Sequence, residues 1–109
     1  MAVSYPEIAV GTVAHFLGVL SATMARWEEA DRHFAYALTT SERFGARPWL
    51  AHTHHAYARM KLKRGGPGDP KMACDLLAKA LATYRDLGMD TYAASVLSLS
   101  EKATLAGPR

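Results

Sequence analysis

Two segments forty-three residues apart, HFAYALTTSERFGARPW from His33 to Trp49 and LLAKALATYRDLGMDTY from Leu76 to Tyr92, put the same residue types at the same spacing. Phe34 falls on Leu77, Ala37-Leu38 on Ala80-Leu81, Phe44 on Leu87, Gly45 on Gly88 and Trp49 on Tyr92, while upstream Ala30 falls on Ala73. Each matched position is large and apolar, small, or the glycine that follows the run. Matched size at matched spacing means that one packing problem is solved twice, which is the signature of a stacked repeat array. That constraint concerns architecture and leans away from catalysis.

The spacing within each segment is helical. Apolar residues recur at three and four (Phe34, Ala37, Leu38; Leu76, Leu77, Ala80, Leu81, Tyr84) and no alternating pattern competes. Ser4-Tyr5-Pro6-Glu7 has the form of a capping box, opening an apolar run that ends near Ala25-Arg26. A second helix is expected from Trp27 to Phe44, stopped by Gly45, and a third from Pro48 to about Arg64. Arg64 to Pro70 (RGGPGDP) is the one substantial loop, with Asp69 as N-cap and Pro70 in the first turn of a fourth helix that Gly88 closes. Asp90 caps a fifth, to about Leu105. The expectation is a single all-α domain over residues 1–109 built from antiparallel helix pairs: repeat one about 6–46, repeat two about 47–89, and a half-repeat about 90–106.

At 109 residues, half of them hydrophobic, the chain can build one independent core. No stretch approaches the roughly 20 apolar residues of a membrane span, and the N-terminus lacks the positive flank of a secretory signal. A single cysteine, Cys74, forbids an internal disulfide. These features lead us to expect a cytoplasmic protein without a membrane partner. The net charge of +3 favours an acidic partner only mildly.

Leu17-Gly18 followed by Trp27, Ala30, Phe34 and Ala37-Leu38 resembles the tetratricopeptide repeat, in which small residues let paired helices approach and large ones fill the gaps. Gly18 then corresponds to Ala58, with three extra residues absorbed by the glycine-rich loop. The strings GARPWLAHT, YARMKLKRGGPGD and LLAKALATYRDLGM resemble the helical arrays of bacterial LuxR-type and maltose-regulator-like ATP-dependent transcription factors and of cyclase-linked ATPases. The resemblance implies a short solenoid acting as a non-catalytic protein- or peptide-interaction module, a fragment or remnant of the regulatory region of such a signalling protein. No phosphate-binding loop is present, since RGGPGDP lacks the lysine and the following Ser/Thr.

Carried over from that family, the groove positions are Thr12, His15, Val19, Ala22 and Thr23 in the first repeat and His52, His55, Arg59, Leu62 and Lys63 in the second. A groove bearing Arg59, Lys63 and three imidazoles suits an acidic or carboxylate-ended peptide. Against this stands the plainer reading, that these are solvated polar residues of a helix. His52 and His55, at i and i+3, could also share a metal with His15 in a small metal- or ligand-binding sensor, although no nearby carboxylate or cysteine completes a zinc set. The sequence implies no metal, no cofactor and no catalytic residues, because no nucleophile–base pair has meaningful spacing. The basic run Lys61 to Arg64 is expected to complement the dipole at a helix C-terminus and not to bind nucleic acid. Trp27, Trp49, Tyr57 and Tyr84 are expected in packing roles. The N-terminal helix, with Ile8, Val10, Val13, Phe16, Leu17 and Leu20, is apolar around too much of its circumference for a free surface, and a homodimer would cover it.

Overall fold

The computed structural model describes the backbone of residues 5–105 and the side chains of residues 12–102. Five helices follow one another: α1 (Tyr5–Thr23), α2 (Trp27–Arg43), α3 (Arg47–Arg64), α4 (Asp69–Asp86) and α5 (Asp90–Leu105). No strand occurs among the described residues, so the fold is all-α. Ser4 of the capping box and the side chains of Ile8 and Val10 lie outside the described residues. Each helix packs on the next, α1 also touches α3, and α3 also touches α5. Helices α1, α3 and α5 therefore lie side by side, in a flat body of 51 × 32 × 18 Å.

Three of the four links share one design. Between α1 and α2, α2 and α3, and α4 and α5, the chain passes through a left-handed residue: Ala25 (φ 59), Gly45 (φ 66) and Gly88 (φ 71). The N–H of the following residue donates five positions back in each case, Arg26 to Ser21, Ala46 to Ser41 and Met89 to Tyr84. This hydrogen-bond pattern satisfies carbonyls that a helix end leaves orphaned. The two glycines matched in sequence thus close equivalent helices. Ala25 does the same task with a Cβ that strains the left-handed conformation, and it ends α1 at Thr23, two residues before the expected position.

Small residues set the distance between helices. Ala30, Ala37, Ala73 and Ala80, the alanines matched across the forty-three-residue register, are all fully buried, as are Ala51 and Ala58. One cluster gathers Ala51, Ala58, Ala73, Leu77, Ala80, Tyr84 and Val96 from α3, α4 and α5, with Cys74 half-buried at its edge. A second joins Ala30 and Phe34 of α2 to Met60 of α3. Burying a ring such as Phe34 or Tyr84 contributes about 2–3 kcal/mol. Gly18 of α1 lies against the Phe34 ring so closely that an added Cβ would stand 2.7 Å from Cδ1.

The link between α3 and α4 differs, and its chemistry is ionic. Arg64 donates Nε and an NH2 hydrogen to the two Asp69 carboxylate oxygens, at 2.7 and 2.8 Å, and a third hydrogen to Asp31 of α2 at 3.0 Å. The Tyr57 hydroxyl donates to Asp31 at 2.7 Å, and the Lys61 ammonium sits 3.3 Å from the same carboxylate oxygen. Asp69 is therefore not the N-cap expected. Gly68 holds that position, and the Asp69 carboxylate turns back to Arg64 and to the Gly66 N–H. Those hydrogen bonds, Arg64 foremost, outweigh burial and hold its pKa at about 2. The basic run does lie in the last turn of α3, as a dipole complement should, but Lys61 is only 4% exposed and Arg64 bridges two aspartates, so these two cations also carry ion pairs.

Two glycine exchanges should move stability in opposite directions. Ala25→Gly relieves left-handed strain and should stabilise by about 0.5–1 kcal/mol in urea denaturation. Gly18→Ala gains about 1 kcal/mol of helix propensity but forces the buried Phe34 ring to shift, a cost of about 1–3 kcal/mol, so the net effect should be a loss. A more stable Gly18→Ala protein would show that the α1–α2 approach is looser than described.

Candidate binding groove

Eight of the ten residues carried over as groove positions come together on the face shared by α1 and α3, although not all in the role expected of them. A cleft of about 300 Å³ is lined by His15, Phe16 and Val19 of α1, Trp49, His52, His55, Ala56 and Arg59 of α3, and Tyr92 of α5. A smaller hollow of about 130 Å³ continues it through Val19, Ala22, Thr23, Phe34, Ala56, Arg59, Met60 and Lys63. Val19, Ala56 and Arg59 belong to both, so the two form one groove. Thr12 and Leu62 line neither, and Leu62 packs on the α3–α4–α5 core.

The imidazoles are structural as much as exposed. His15 is only 8% exposed, so it does not present a solvated ring to the groove. Its Nδ1 lies 3.0 Å from the Thr53 hydroxyl, and its ring meets Phe16 and Trp49 edge-on. His52 shares a 2.6 Å hydrogen bond with the Tyr84 hydroxyl and contacts Trp49 and Tyr92. Burial, with a smaller repulsion from Tyr92, pushes the Tyr84 pKa up to about 12, which keeps this hydroxyl protonated. His55 stands edge-on to Tyr84. His54 points away from this face, as its position on the helix required, and is 6% exposed with no hydrogen-bond partner for Nδ1 among the described residues.

Burial lowers the pKa of His15, His52 and His55, assisted at His15 by the neighbouring His52 charge and at His55 by Arg59 and His52. The three rings therefore gain charge only at lower pH than a free imidazole does. The groove's positive charge near neutrality comes from Arg59 and Lys63, both exposed. Neither is in an ion pair among the described residues. Nor do the described residues contain a group of three His, Cys, Asp or Glu able to hold a metal ion.

Aromatic residues surround these charges. Trp49 and Tyr92, equivalent in the forty-three-residue register, both line the cleft. Trp49 is thus a cleft residue as well as a packing one. Phe16 is 56% exposed beside it. Such a surface offers flat apolar walls with a guanidinium at the junction, suited to an extended chain with apolar and acidic side chains. Phe16, Trp49 and Tyr92 were absent from the expected groove, although the matched pair Trp49–Tyr92 was a signal already visible in the repeat.

No family model, curated protein or solved structure matches this chain. Among the described residues, no helix is long and apolar enough to cross a membrane.

Histidine-resolved NMR titration should give midpoints below 6.5 for His15, His52 and His55. The unfolded chain then binds more protons than the folded one just below its own pKa of about 6.5, so these groups support the fold above that pH and lose their contribution as acid approaches their folded pKa values. A midpoint at or above 6.5 for His15 would contradict its burial.

Proposed function

We propose that the chain is a non-catalytic interaction module whose α1–α3 groove binds an acidic segment of a partner protein. The observation that carries this reading is the conjunction of an aromatic cleft with two exposed cations, Arg59 and Lys63, that no carboxylate neutralises among the described residues. The bacterial regulator arrays that the sequence strings resemble support a role in signalling or transcriptional control. A fluorescent peptide of alternating glutamate and leucine is the direct probe. Arg59→Ala combined with Lys63→Ala should weaken its binding about tenfold or more, since charge-assisted hydrogen bonds contribute roughly 1.5–3 kcal/mol each. Both side chains are exposed, so the fold should be unaffected. Salt should weaken binding as well. Affinity indifferent to both the substitutions and salt would remove the electrostatic basis of the reading.

A second copy of the chain covers the apolar face of α1 on the same reading. Val13, Leu17 and Leu20 of α1 are 40–55% exposed and Met24, just past its end, is 55% exposed, an unusual density of large apolar side chains outside the groove. Sedimentation velocity should show a dimer at high micromolar concentration and a monomer for Leu20→Glu. A wild-type monomer under those conditions would exclude a homodimer through α1.

A further inference from the structure

The groove does not end at α3. On its α5 side a third compartment, an open space of about 330 Å³, is lined by His55 and Arg59 of α3 and by Ser95, Ser98, Leu99 and Lys102 of α5. Ser95, Ser98 and Lys102 recur at three and four, which puts them on one stripe of α5. Its polar groups are a guanidinium, an ammonium, two hydroxyls free to rotate their hydrogen, and an imidazole. No aspartate or glutamate is among them. Among the described residues neither Arg59 nor Lys102 has an ion-pair partner. Two helices thus line one space with donors and with no acidic side chain.

We propose that this compartment binds the phosphoryl group of a phosphorylated peptide side chain lying in the groove, an inference that rests on the peptide-binding reading above. Charge and donor count favour a phosphoryl group over a carboxylate. A phosphate monoester carries about −1.5 to −2 near neutral pH and offers three terminal oxygens, against a single charge and two coplanar oxygens for a carboxylate. Two cations match that charge, and the planar guanidinium can engage two oxygens at once while the serine hydroxyls reach the third. The continuity of the surface favours a peptide over a free anion. His55 and Arg59 line both this compartment and the aromatic cleft. A phosphoryl group held between α3 and α5 would therefore be attached to a chain whose neighbouring residues meet Trp49, Phe16 and Tyr92.

The test uses four probes on the full chain: a phosphoserine peptide with flanking glutamate and leucine, the same peptide with serine, the same with glutamate at that position, and inorganic phosphate. Calorimetry should find the phosphoserine form bound about ten- to a hundredfold more tightly than the serine form, the range expected for charge-assisted hydrogen bonds. Ser98→Ala with Lys102→Ala should erase that difference. Arg32→Ala, an exposed charge on α2, should leave it intact. Backbone amide shifts of Ser95 and Ser98 should respond to inorganic phosphate in the wild type. Equal affinity for all three peptides would overturn the phosphoryl site while leaving the acidic groove standing. A glutamate peptide as tight as the phosphoserine one would overturn it too, because a single negative charge would then suffice. Phosphate-induced shifts at Ser95 and Ser98 without any peptide binding would overturn the groove reading and the peptide source together, leaving a site for a free anion.

Discussion

The close approach of α1 to α2 sets the rest of the groove. Gly18 faces the Phe34 ring at a distance no Cβ would permit, and Phe34 is fully buried between α1, α2 and α3. Its ring stacks on Tyr57 at 5.2 Å, and Tyr57 in turn donates to Asp31. One contact between a glycine and a ring therefore fixes α1 against α2 and, through Tyr57, α2 against α3. Holding α1 further out would pull His15 from Thr53, with which it shares a hydrogen bond across the α1–α3 seam. The aromatic cleft depends on that seam, since its two walls are α1 and α3.

Most of this fold was legible because its rules are local. Glycines at 45 and 88 mark left-handed helix ends, and the alanines at 30, 37, 73 and 80 mark sites where no larger side chain fits. Both signals survive in a single sequence. The first link was harder to place because Ala25 adopts a left-handed conformation without glycine, held there by the same hydrogen bond from the following residue. Asp69 misled for a related reason. A carboxylate before a proline reads as a cap, but the competing partner, Arg64, lies on the preceding helix and offers two hydrogen bonds in place of one.

The groove was legible in position but not in character. The tetratricopeptide resemblance implied that His15, His52, His55, Arg59 and Lys63 line one side, and the two hollows gather them there. Periodicity says nothing of how deeply a ring sinks between neighbours. His15 sinks because Thr53, fully buried itself, provides a partner for Nδ1, and the aromatic rings of Phe16 and Trp49 close over it. The α5 compartment was invisible for another reason. Ser95, Ser98 and Lys102 acquire meaning only when α5 is laid beside Arg59, thirty-six or more positions earlier in the chain.

Helix α3 also decides which of its cations stay exposed and unpaired. Five basic side chains lie between Arg47 and Arg64, and they are sorted by face. Lys61 and Arg64, one turn apart, point toward α2 and α4 and are consumed by Asp31 and Asp69. Such burial is tolerable only because carboxylates meet it, since an unpaired ammonium in a dry interior costs several kcal/mol. Arg47 reaches the exposed Asp86 at the other end of the helix. Arg59 and Lys63, also one turn apart, fall on the opposite side, where the described residues bring no acid to them. A basic run that reads as one patch along the chain is therefore two populations in space. One locks the α3–α4 corner, and the other, joined by Lys102 of α5, leaves the groove with positive charge that no acid among the described residues meets.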